Sequence, residues 1–231
     1  MDGRVMIKKL FSKKPATKSS KKATTPPAPK KEPPSPVTEV KKLAAAAYGE
    51  ASTDDVPDEI AGIAWAIANR ARASKKSITK MLVKPGYVYA VTKANIRYKK
   101  LINASEKAIA ADKGMTLAME SAKNASENNG TDPSNGAYWW DGDDFKTNPN
   151  HDKKRRGFCY SDPSHNIFGV EEKRVLVIKT KTITNKKTKK SETTEVGRYD
   201  YVYESTAAYG STIFWKLGQD FLKVSGGRDY N

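Results

Sequence analysis

Asp55-Val56-Pro57-Asp58-Glu59-Ile60-Ala61-Gly62-Ile63-Ala64-Trp65-Ala66-Ile67-Ala68-Asn69-Arg70-Ala71 is the stretch on which the fold class turns. Ile60, Ile63, Ala64, Ile67 and Ala71 recur at three- and four-residue intervals, the spacing of one helix face. Asp55 and Pro57 sit where a helix start wants an acceptor and a proline, and Asp58 and Glu59 place negative charge in the first turn. Upstream, Val40, Leu43, Ala44 and Ala47 share one face of an earlier helix, predicted to start with Ser35 as its N-cap and Pro36 at its first position and to end near Gly49-Glu50.

Downstream, a short helical turn over residues 77–83 stops at Pro85-Gly86, and further helices are predicted over 93–112 and 116–127, closed by Asn128-Asn129-Gly130. Residues 131–169 read as loop, rich in Asp, Asn, Pro, Gly and aromatics. Two stretches, 174–184 and 192–204, are dense in Val, Ile, Thr and Tyr and read as strands of a hairpin with a lysine-rich tip. The last apolar run, Ile213-Phe214-Trp215 with Leu217, Phe221 and Leu222, is predicted to dock as a terminal helix. The expected class is α+β, mostly helical, with a C-terminal β-hairpin.

The chain has 231 residues and a net charge of +16. Residues 1–36 hold seven of the twelve prolines and are dominated by Lys, Ser, Thr and Ala. That composition buries no core, so residues 1–36 are expected to be a disordered basic tail and residues 37–231 the folded domain. Through Lys42 the chain carries twelve basic and three acidic residues, more than half of the net charge. Such a balance points to a polyanionic partner, whether nucleic acid, an anionic membrane surface or a cell wall. Cys159 is the only cysteine, which excludes an intrachain disulfide and a thiolate zinc cluster. No segment approaches the roughly 18 apolar residues of a spanning helix, and the N-terminus lacks the apolar core of a secretory signal.

Two places can carry chemistry. Glu50 closes the first helix with apolar residues before it and Gly49 beside it. A carboxyl buried against apolar walls holds its proton near neutral pH and can give it to a glycosidic oxygen, whereas an open helix end leaves the same residue solvated and inert. The second place is Asp132-Pro133-Ser134-Asn135-Gly136-Ala137-Tyr138-Trp139-Trp140-Asp141, a turn running into three consecutive aromatics. Flat rings match the apolar faces of pyranoses, and flanking Asp and Asn bond hydroxyls; a core strand with alternating burial is the plain alternative. His151 and His165 lack the paired spacing of a zinc site and read as surface or structural, so no metal and no cofactor is expected.

Four separated segments resemble, in order, the SleB-like cell-wall hydrolase family known from spore-cortex-lytic enzymes. The family's opening motif resembles Tyr48-Gly49-Glu50-Ala51, and its next helix resembles Ile63-Ala64-Trp65-Ala66-Ile67-Ala68-Asn69-Arg70. Its short helix and proline-glycine turn resemble residues 78–87, and its aspartate-proline loop with trailing aromatics resembles residues 132–140. The likeness spans about residues 43–141, with Asn166-Ile167-Phe168-Gly169 a weak continuation. It departs from the family at Ser52, Lys84, Tyr87 and Ser134-Asn135.

The resemblance implies a lysozyme-like α+β domain that cleaves peptidoglycan glycan strands as a lytic transglycosylase or muramidase-type hydrolase, with Glu50 as catalytic acid. It implies substrate contacts from Tyr48, Asn69, Asp132, Tyr138, Trp139, Trp140 and Asp141, and it favours a route that uses one glutamate. A second carboxylate, if one takes part, comes from Asp132, Asp141, Asp143 or Asp144. On this reading the partner is peptidoglycan and the chain does not insert into membranes. It is made in the cytoplasm and acts in the periplasm or wall after non-Sec delivery or lysis, as an antibacterial effector or phage lysin does, with a delivery apparatus or immunity protein as further partners. The competing readings are a basic nucleic-acid-binding protein, drawing on Arg97-Tyr98-Lys99-Lys100 and Lys153-Lys154-Arg155-Arg156, and a wall-binding protein without activity.

Overall fold

Small side chains set how closely the helices meet. Helix α1 (Glu39–Glu50) buries an unbroken run from Leu43 to Tyr48 that includes four alanines, and α2 (Pro57–Ala73) buries Ile60, Ile63, Ala64, Ile67 and Ala71 as its spacing predicts. A computed structural model describes residues 32–93 and 95–230, so the basic tail expected over residues 1–36 lies outside the described residues up to position 31. From Pro33 onward the described chain is one compact unit of mixed α+β architecture. Among the described residues no helix is long and apolar enough to cross a membrane.

The helical layer continues through α3 (Ile78–Leu82), α4 (Tyr89–Thr92), α5 (Ile96–Ile102), α6 (Glu106–Ala110) and α7 (Lys113–Glu127), with α7 packed on both α1 and α2. Two expected boundaries are corrected here. The first helix begins at Glu39 with Thr38 as its cap, not at Pro36 with Ser35 as its cap, because the Thr38 side chain accepts from Lys41 N while the Ser35 backbone N–H donates to the Ala104 carbonyl at 3.1 Å. The helix expected over 93–112 is broken into α5 and α6 at that same carbonyl. Ala104 O also accepts from the buried Lys41 Nζ at 2.9 Å, which takes it out of a helical ladder.

The region expected to be loop contains short elements: β1 (Trp139–Asp141), α8 (Asp143–Thr147), α9 (Asp152–Arg156), β2 (Phe158–Cys159) and a 3-10 turn at Pro163–His165. Then come β3 (Val177–Thr184), β4 (Ser191–Tyr199), β5 (Tyr203–Tyr209), β6 (Thr212–Leu217) and α10 (Gln219–Ser225). The strand expected over 192–204 is two strands in different sheets. The run 212–217 is strand, not helix, which corrects the terminal-helix expectation; only Phe221 and Leu222 lie on α10. Strand β6 is central in the four-stranded order β1-β6-β5-β2, buried on both faces, and a short run apolar on both faces carries no period that separates strand from helix.

Within that sheet β1 pairs antiparallel with β6, Trp139 opposite Trp215 and Trp140 opposite Phe214, while β2 runs parallel to β5. Helix α2 lies on the sheet through Gly62, where a Cβ would fall 2.5 Å from the Phe214 ring. On the sheet's other side Phe145, Phe158, Val202, Tyr203, Ile213, Trp215 and Leu217 form a second core. Strands β3 and β4 make a separate antiparallel ribbon. Strand β1 is thus held between the two cores, and the end of α1 faces it.

Candidate active site

Glu50 is the last residue of α1, and its position is fixed by what terminates that helix. The orphan carbonyls of Tyr48 and Gly49 accept from Arg97 Nε at 2.7 Å and Asn95 Nδ2 at 2.6 Å. Arg97 is itself held by Asp55 at 2.6 Å and lies 3.8 Å over the Tyr48 ring. Gly49 is required for space: a Cβ there would meet Ala90 Cβ at 2.7 Å and Asn95 Oδ1 at 2.9 Å. This closeness lets the Ala90 backbone N–H donate to Glu50 Oε1, and Trp140 Nε1 donates to Oε2 at 3.3 Å.

Burial raises the Glu50 pKa above its ordinary value. The N–H donors of Ala90, Trp140 and Tyr89 favour the carboxylate and oppose that rise, the nearby Asp144 charge adds to it, and burial dominates. We expect Gly49→Ala to move α4 and its amide away from Glu50, costing about 1–3 kcal/mol in stability. An unchanged thermal midpoint in that variant would show that the close approach is not needed.

Glu50 opens into a cleft of about 1090 Å³ lined also by Tyr87, Trp139, Trp140, Asp141, Asp143, Asp144 and Tyr203. Trp140 meets the Tyr87 ring edge to face at 5.3 Å, and Trp139 meets Tyr203 at 6.0 Å. Arg70, buried behind them, lies 4.3 Å over Tyr87 and 4.8 Å over Trp139. Neighbouring residues of β1 therefore lean on different supports while both line the cleft.

The cleft is also lined by a charge cluster. Asp141 Oδ2 lies 2.7 Å from Lys153 Nζ and Oδ1 lies 3.3 Å from His151 Nε2, which is also 3.5 Å from Asp144. Burial alone would raise the Asp141 pKa, but the Lys153 charge and His151 hold it below the usual carboxylate range. Burial opposes protonation of His151, yet its bonds to Asp141 and Asp144 push it up to about 9. His151 is thus no surface residue: 11% of its side chain is exposed. Asp141, Asp144 and His151 also have the spacing of a metal-ligand group.

Of the residues singled out from sequence, Glu50, Trp139, Trp140 and Asp141 meet in the cleft. Tyr48, Asn69, Asp132 and Tyr138 do not line it. Tyr48 is buried under Arg97. Asn69 Nδ2 donates to Asp132 Oδ2 at 2.8 Å, and Asp132 accepts from Ser134 N, Ser134 Oγ and Gly136 N, bonds that close the turn before β1. Tyr138 donates to Asp229 at 2.9 Å. Cys159 is buried, which pushes its thiol up to about 11 and keeps it protonated.

Sequence reasoning missed Glu59. It is fully buried yet lines the cleft, accepting from Ser52 Oγ, from Thr212 Oγ1 at 2.8 Å and from Ser211 N at 3.2 Å. These bonds tie the chain just after Glu50 to the β5–β6 turn. Its only local signal, an acid in the first turn of a helix, has an ordinary explanation in the helix dipole. Comparison of the chain with protein-family models, with characterised proteins and with solved structures finds no match.

Proposed function

We propose that this chain cleaves the glycan strands of bacterial peptidoglycan on a lysozyme-like scaffold, with Glu50 as general acid. The observation that carries the reading is a glutamate whose burial favours the protonated form, at the end of a helix in an open cleft walled by Trp139 and Trp140. The acid would give its proton to the leaving glycosidic oxygen, and the two indoles would supply apolar lining for adjacent sugar rings.

The single-glutamate route is the better supported one. Asp141, the obvious second carboxylate, is neutralised by Lys153 and His151, and a base so paired is poorly suited to hold a nucleophilic water. In that route the muramic 6-hydroxyl attacks the anomeric carbon and Glu50, having given up its proton, takes the hydroxyl's. Asp143 and Asp144, which also line the cleft, are the remaining candidates for a water-directed route.

The nucleic-acid reading loses much of its basic surface. Lys153 is buried against Asp141, Arg155 and Arg156 pair with Asp152, Arg97 pairs with Asp55 and Lys100 with Asp112. The test is release of soluble fragments from purified peptidoglycan across pH. The acid works only while protonated, so kcat/KM should fall on the alkaline side, with its midpoint displaced upward from an ordinary glutamate's by the burial of Glu50. Binding without release of fragments, at any pH, would leave a wall-binding protein and refute the enzyme.

A further inference from the structure

The β3–β4 ribbon plays no part in the cleft, and its two halves differ. The inner half is anchored by α10: a Cβ on Gly197 would strike Val224 Cγ2 at 2.6 Å, Lys179 Nζ donates to the Val224 carbonyl at 2.8 Å, and Tyr199 meets Phe221 edge to face at 5.1 Å. Past the irregularity between Lys179 and Thr180 no such support is seen among the described residues, and every residue from 178 to 196 is exposed. A two-stranded ribbon open on both faces gains little from burial.

Charge distinguishes this outer half. Lys181, Lys186, Lys187, Lys189 and Lys190 have no ion-pair partner among the described residues, and of the two acids beside them Glu195 is taken by Arg198 at 2.7 Å. We propose that the outer half of the β3–β4 ribbon is a docking arm for a linear phosphodiester polymer of the cell wall, held by these five lysines. Lysine meets phosphate as a compact point charge and needs no fixed geometry from a flexible chain.

The remaining side chains argue against nucleic acid and membrane. Residues 180–195 include no aromatic ring to stack on a base and no arginine to grip one. The hydroxyls of Thr182 and Thr193 bond each other at 2.8 Å, as do those of Thr184 and Ser191, and Asn185 Oδ1 accepts from the turn amides of Lys187 and Thr188. Ile183 is the single large apolar side chain in that span, too little to enter a bilayer. The choice of a wall polymer, in place of some other phosphodiester, rests on the peptidoglycan reading above.

The test uses the full chain carrying Glu50→Gln, so that walls stay intact, with and without Lys→Gln at all five positions; the N-terminal tail is the same in both. The probes are purified walls bearing a polyol-phosphate polymer, the same walls stripped of it by hydrofluoric acid, and mixed-sequence duplex DNA. We expect the five substitutions to weaken binding to phosphate-bearing walls roughly tenfold at low salt, to flatten the salt dependence, and to change binding to stripped walls little. Equal binding of both proteins to phosphate-bearing walls overturns the proposal, as does an equal loss on stripped walls, which would assign the lysines to peptide carboxylates. A larger loss on DNA than on walls makes nucleic acid the partner. The five substitutions in the otherwise wild-type chain should leave cleavage of soluble glycan fragments unchanged. Failure of both chains to cut them counts against the enzyme and not against the arm.

Discussion

Glu50→Gln should reduce release of glycan fragments by about 10²–10⁴-fold, the usual contribution of a positioned acid, and leave the fold intact. The amide retains an oxygen for the Ala90 N–H but has no proton to give. The same substitution has a signature in stability. Burial raises the pKa of Glu50 in the folded chain, so the fold prefers the protonated form. Wild type therefore loses stability as pH rises from the ordinary glutamate value through the raised one, and the neutral amide carries no such loss. Thermal midpoints of the two proteins should diverge in favour of Glu50→Gln toward higher pH. A folded variant that clears peptidoglycan at the wild-type rate would remove Glu50 from the chemistry.

The second large effect is structural. Lys153→Met leaves Asp141 in a buried place with His151 as its one cationic neighbour, and both partners of the lost pair have side chains no more than 10% exposed. Breaking a buried pair from one side costs about 3–5 kcal/mol, and the surviving imidazolium places this case at the lower end. A fall in thermal midpoint of roughly 10 °C is expected for a domain of this size. Adding Asp141→Asn should restore part of it, because the amide carries no charge to bury. A midpoint unchanged in Lys153→Met would mean that the lysine is a surface cation after all, and the nucleic-acid reading would regain it.

Local periodicity was sufficient for α2, for the buried face of α1 and for the class, because each rests on contacts three and four residues apart. What sequence could not supply comes from distant partners. Strand β1 is three residues long and is defined by β6, more than seventy residues away. The break between α5 and α6 depends on Lys41 and Ser35 reaching Ala104. Ile213-Phe214-Trp215 is apolar on both faces, so no pattern chose strand over helix.

The site divides in the same way. Glu50, Trp139 and Trp140 were singled out from residue type beside a local signal, and they line one cleft. Asn69 and Asp132 are equally polar, yet they bond each other and close a turn. Glu59, Asn95 and Arg97 position the acid or the chain that follows it, and nothing adjacent to them in sequence says so.

The most direct measurement is the mass of the fragments released from purified peptidoglycan by the wild-type chain. Cleavage of glycan strands by Glu50 alone predicts disaccharide-peptides with intact stems and 1,6-anhydromuramic ends; reducing muramic ends would keep the glycosidase and bring a water and a second carboxylate into its mechanism. Free stem peptides released from uncut glycan would contradict the account at its centre.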